Sequence, residues 1–157
     1  MTGGKHYTEQ ALTMEMLDSK IDKLRDLTRL AQSSDIVGII FPLDSGGTVI
    51  TTGLKMGLVI PFACIITQAT IIGVLPADTA GSIVLDIWKT TYAGAPPLNA
   101  NSITASAPPT ITAAKKSQDS TLTGWTTTVA AGDVLFVYVD SCSTFTAVTL
   151  VLKAKGI

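Results

Sequence analysis

Neither side of the pleat is polar in Val134-Leu135-Phe136-Val137-Tyr138-Val139, and Val148-Thr149-Leu150-Val151-Leu152 is nearly as apolar on both. A strand with one wet face alternates apolar and polar residues, so strands of this kind need cover on both sides. A two-layer sandwich made by one chain covers only its inner faces. The cover must come from elsewhere: an N-terminal helix or a neighbouring subunit. The pattern predicts a β-rich fold that associates with copies of itself.

Composition points the same way. Charged residues are 15% of the 157 positions and hydrophobic ones 46%, whereas roughly 25% charge is usual in soluble proteins. A chain of this length is one domain with at most an appendage, and it has few charges with which to cover its surface. A net charge of −1 supplies no basic field, so a nucleic-acid partner is not expected. The uncharged stretch of 22 residues between Lys55 and Asp78 is long enough to span a bilayer. It is interrupted, however, by Pro61, Thr67, Gln68, Thr70 and Gly73 and is rich in β-branched residues, which favours two strands joined by a turn. No membrane insertion is expected. The polar start, Met1-Thr2-Gly3-Gly4-Lys5-His6-Tyr7, is not a secretory signal. Cys64 and Cys142 are expected as buried, reduced thiols.

The composition changes near Ser33-Ser34, which divides the chain into a helical segment, 1–34, and a β domain, 35–157. Residues 8–32 hold no Gly or Pro and many good helix formers, with Thr8 as the expected N-cap. Met14, Leu17, Ile21 and Leu24 recur at three- and four-residue spacing, continued by Thr28 and Ala31. Leu12, Met16, Leu27 and Leu30 widen the apolar arc well beyond a narrow seam. The expectation is an anchor or oligomerisation helix whose contacts are Met14, Leu17, Ile21, Leu24, Leu27 and Leu30.

Beyond it, short runs rich in Val, Ile and Thr alternate with Pro and Gly. Strands are expected at about 36–41, 48–52, 58–67, 69–75, 82–89, 102–105, 111–113, 133–140 and 144–153. Residues 92–109 read as a long surface excursion. This spacing predicts a mainly β protein, an antiparallel, jelly-roll-like sandwich behind an N-terminal helix.

Chemistry is sparse. His6 is the single histidine and the cysteines are far apart, so no metal site is expected. No phosphate-binding, dinucleotide, zinc-protease or serine-hydrolase motif occurs. No glutamate follows Glu15, and most aspartates flank turns. The chain is expected to be no enzyme, with neither catalytic residues nor a cofactor. Asp86 and Trp88 share one strand face, opposite Ile83, Leu85 and Ile87. With Trp125 they are candidates for a surface contact, either a subunit interface or a sugar site.

Pro61-Phe62-Ala63-Cys64, the run Gly81-Ser82-Ile83-Val84-Leu85-Asp86-Ile87-Trp88-Lys89, then Leu122-Thr123-Gly124-Trp125-Thr126 and Ala131-Gly132-Asp133 resemble a β-sandwich module of tailed-phage virion proteins. The resemblance covers residues 39–153, in the same motif order, and leaves the helix outside. It implies a virion component assembled in the bacterial cytoplasm: a head decoration, head fibre, collar or tail-fibre subunit, a homotrimer bound to other capsid or tail proteins. The alternative is a carbohydrate-binding adhesin on the same sandwich, recognising a host-surface glycan.

Overall fold

The computed structural model describes the backbone of residues 5–75 and 80–157, and the side chains of these except 5–12 and 29–34. The chain forms two compact units, Met1–Asp35 and Ile36–Ile157.

The first unit is one helix, α1, Lys5–Ser34, of 30 residues, about 45 Å long at 1.5 Å per residue. It starts three residues before Thr8, which therefore lies within the helix and is not its N-cap. No Gly or Pro lies between Lys5 and Ser34 to stop it earlier. At its C-terminal end two serines give way to a β-branched run. Within α1, Thr28 donates from Oγ1 to the Leu24 carbonyl at 2.8 Å, satisfying its hydroxyl within the helix. Arg25 and Asp22 pair at 3.3 Å, both well exposed. Such a pair contributes little.

The second unit contains nine strands among the described residues: β1 Ile36–Asp44, β2 Gly53–Val59, β3 Cys64–Val74, β4 Gly81–Thr91, β5 Thr110–Ala114, β6 Lys116–Asp119, β7 Thr128–Val129, β8 Asp133–Ser143 and β9 Ala147–Gly156. They form two antiparallel sheets. Sheet A has the order β1-β9-β3-β6, with β7 also pairing β3; sheet B has the order β2-β8-β4-β5. The chain passes repeatedly from one sheet to the other, as in a jelly roll. Ile39, Phe41, Leu150 and Leu152 of sheet A and Leu85, Ile87, Leu135 and Val137 of sheet B belong to one buried cluster between the layers. The fold is the β-sandwich that the strand pattern predicts.

Several boundaries differ. Residues 48–52 form no strand: Ile50 plugs the core, 4% exposed, and its N–H donates to the Phe145 carbonyl at 2.9 Å. The strand begins instead at Gly53, whose φ of +108° suits only glycine. The expected strand 58–67 is divided: Leu58 and Val59 end β2, 60–63 lie between strands, and Cys64 onward continues through the expected 69–75 as one strand, β3, in which Thr67 is the extra residue of a bulge opposite β9. Residues 102–105 contribute a single bridge, Ser102 to Trp88, and not a strand. The pattern also passed over β6 and β7. Lys116-Ser117-Gln118-Asp119 has no apolar residue to announce an edge strand.

Candidate functional site: two unlike outer faces

On the outer face of sheet B, β4 and β8 pair so that Asp86 lies opposite Tyr138 and Trp88 opposite Phe136. Residues directly opposite in an antiparallel pair share a face. Trp88 and Tyr138 stack diagonally, ring centroids 4.4 Å apart and planes 13° from parallel. Asp86 is 8% exposed and Trp88 6%. The Asp86 carboxylate takes four donors: the Trp88 indole N–H at 2.7 Å, the Ile87 N–H at 2.7 Å, Ser102 Oγ at 2.8 Å and Thr104 Oγ1 at 2.5 Å. A buried charge is tolerated only when paired or hydrogen-bonded in this way. Asp140, the extra residue where β8 bulges against β4, has its carboxyl pushed above the usual range by burial and by the negative charge of Asp86.

Asp86 therefore pins the surface excursion 92–109 to β4. The Ile103 N–H continues that edge by donating to the Ile87 carbonyl at 2.8 Å. Trp125 holds the far end of the same excursion: its indole N–H donates to the Ala107 carbonyl at 2.8 Å, and the Thr126 N–H donates to the Ile103 carbonyl at 2.8 Å. Lys89, at the end of the β4 motif, donates to the Thr128 carbonyl at 2.8 Å and lies 3.6 Å from Asp133. Gly132, at φ +89°, makes the turn before Asp133. Of the expected surface contacts, the structure brings Asp86 and Trp88 together but buries both, and it leaves Trp125 half-buried against the core. Ser102, Thr104, Tyr138 and Asp140 were not singled out from sequence. Their place beside Asp86 depends on a register that no single strand displays.

The cover for the doubly apolar strand β8 is thus local. Val134 is buried and Phe136 and Tyr138 are half-buried, Tyr138 against the Trp88 ring. Phe136 lies so close over Gly57 of β2 that a Cβ there would be 2.5 Å from its ring.

Sheet A is different. Its register aligns Ile40 with Val151 and Thr70, Pro42 with Thr149 and Ile72, and Asp44 with Ala147 and Val74. β6 adds Gln118 beside Thr70 and Lys116 beside Ile72. Ile40 is 54% exposed, Ile72 55% and Val74 60%. On this outer face Ile40, Val151, Ile72 and Val74 stand among threonines and Pro42, with Asp44 and Lys116 at opposite edges and Lys153 and Lys155 at the far end on β9. A shallow depression of about 340 Å3 lies on it, lined by Thr70, Ile72, Lys116, Ser117 and Gln118.

On α1, Met14, Leu17, Ile21, Leu24 and Leu27 are between 38% and 62% exposed. The side chain of Leu30, the last of the expected seam, lies outside the described residues. Both cysteines are free; Cys64 is buried, whereas Cys142 is only half-buried. Among the described residues no three metal-binding side chains converge, and no helix is long and apolar enough to cross a membrane. No protein-family model matches the chain, and no curated protein is significantly similar to it.

Proposed function

We propose that the chain is a structural, non-catalytic subunit of a tailed-bacteriophage virion, associating with copies of itself and attached to other capsid or tail proteins through its N-terminal segment. The observation that carries this reading is the flat apolar face of sheet A, with Ile40, Ile72 and Val74 each more than half exposed. An isolated monomer gains nothing from such a surface; a subunit in an assembly does. The apolar residues along α1 support a second contact, that of an anchor. The resemblance of the β4 and 122–133 motifs to phage virion modules supplies the setting and implies a homotrimer.

The sugar-binding alternative is less well supported. Its aromatic platform would be Trp88, but that ring is stacked under Tyr138 and its N–H is committed to Asp86. No open ring stands beside an available carboxylate there.

The test is incorporation. Epitope-tagged full-length protein should appear on purified phage particles in fixed copy number, visible by antibody labelling at one site on the head or tail. A version lacking residues 1–33 should be folded but missing from the particles. Particles that never carry the full-length protein would sink the proposal, and equal incorporation of the truncated form would remove the helix as anchor.

A further inference from the structure

The apolar face of sheet A is bordered by opposite charges on its two opposite edges. Asp44 ends β1 in the row of Ala147 and Val74, and Lys116 begins β6 in the neighbouring row, beside Ile72. The two rows are two residues apart along β3, or about 6.7 Å, a gap that a lysine side chain spans. A rotation about an axis parallel to the strands keeps every residue at its height. It carries the β1 edge of one copy towards the β6 edge of the next.

We infer that this face is where copies of the chain meet, arranged in a ring about an axis along the strands, with Asp44 of each copy facing the partner's Lys116. The inference rests on the self-association proposed above and assigns it to one surface. Three features select a second copy as the occupant. The edge charges are complementary to each other, so a rotated copy satisfies both. The row of Ile40, Val151 and Thr70 carries no charge, and the row of Ile72 and Thr149 is charged only at its β6 edge, by Lys116, the residue assigned to the contact; Lys153 and Lys155 lie beyond these rows on β9. The other outer face is closed by its own aromatic group, as Trp88 at 6% exposure attests. Four strands about 4.8 Å apart, over three rows, give a face of roughly 300 Å2, on which Ile40, Val151, Ile72 and Val74 supply the larger apolar side chains. A ring uses this patch together with both of its edges, so each copy contacts two neighbours. Such head-to-tail contacts close when the rotation closes.

Sedimentation velocity of the full chain tests this. Wild type should sediment as a closed oligomer at micromolar concentration. Ile72→Lys, at a position 55% exposed in the single chain, should sediment as a monomer with an unchanged β-type circular dichroism spectrum. Should that variant misfold, the edge charges give an independent reading. Asp44→Lys and Lys116→Asp should each weaken association several-fold, and the double exchange should recover most of the loss. Oligomers that survive Ile72→Lys in a folded chain, or that ignore both charge reversals, overturn the assignment of this face while leaving self-association standing. A wild-type monomer overturns both and leaves the face to a different protein.

Discussion

Replacing Asp86 with alanine should be among the most damaging single changes in the sandwich. The substitution deletes four hydrogen-bond acceptor contacts at once. Three of the stranded donors are deeply buried: the hydroxyl of Thr104 and the N–H of Ile87, both in residues at 0% exposure, and the indole N–H of Trp88, at 6%. A buried donor left without an acceptor costs about 1–3 kcal/mol. Ser102 recovers part of its loss, because its Oγ already lies 3.3 Å from Thr104 Oγ1. The sum is roughly 3–5 kcal/mol, a large share of the 5–15 kcal/mol typical of a domain. Asp86→Asn keeps one acceptor oxygen but turns an amide towards a donor, so about half that loss is expected.

Urea unfolding at one fixed protein concentration measures this, followed by circular dichroism and by tryptophan fluorescence. The concentration must be held constant because the self-association proposed above would make stability depend on concentration. Hydrogen exchange supplies the local signature. The Ile103 and Thr126 amides, which tie the excursion 92–109 to its neighbours, should lose protection before amides of the β1–β9 pairing do. An alanine variant destabilised by less than about 1 kcal/mol would refute the reasoning, since the carboxylate would then not be satisfying those donors. Equal loss of protection in both sheets would refute the claim that Asp86 acts through the excursion.

Other predictions follow from single contacts. The Asp140 carboxyl holds its proton more tightly folded than unfolded, so its contribution to stability is full below the unfolded value of 3.8 and declines as pH rises through its raised folded value. Asp140→Asn should therefore raise the melting midpoint at pH 7 slightly and leave it unchanged at pH 3, as a thermal series in pH would show. Gly73→Ala places a Cβ 2.1 Å from the fully buried Phe145 ring; overpacking of this kind should cost about 1–3 kcal/mol in denaturant titration. Alkylation of native protein should label half-buried Cys142 well before buried Cys64, both thiols being further slowed by pKa values that burial raises. Equal rates would contradict the placement of Cys64 in the core of β3.

Much of the fold was legible because its signals are local. Pro and Gly punctuate the β region; the runs at 82–89 and 133–140 lie inside β4 and β8, and the run at 144–153 overlaps β9 with both ends displaced by three residues. What was not legible is pairwise. That β8 is apolar on both sides is plain in the sequence, but what covers it depends on Asp86 lying opposite Tyr138, a register set by turns and a bulge at Asp140. Reading β8 alone called for cover from the N-terminal helix or a neighbouring subunit, where the sandwich supplies an aromatic group of its own. The Thr67-Gln68 interruption similarly read as a break, although a bulge lets one strand carry both halves. Polar edge strands such as β6 leave no hydrophobic trace and are recognised only by their partners.

The contrast between the two outer faces follows from side-chain reach. On sheet B the outward positions of β4 and β8 hold Trp88, Phe136 and Tyr138, rings large enough to lie across neighbouring strands and close the surface from within. On sheet A the corresponding positions hold Ile40, Val151, Ile72, Val74 and threonines, which stand upright on the pleat and cannot cover one another. Their exposure is a property of short β-branched side chains on a flat sheet, and no rotamer change within the chain removes it. Only another surface can, and burying each such side chain is worth about 1–2 kcal/mol before the cost of association. The sheet B face thus adds to the stability of the single chain, through Asp86 and the aromatic group, at any concentration. Under the proposed self-association, the sheet A face would add stability only when occupied, by mass action. On the self-association proposed above, the sandwich keeps its fold independent of assembly, and the free energy of the sheet A face is released only on docking.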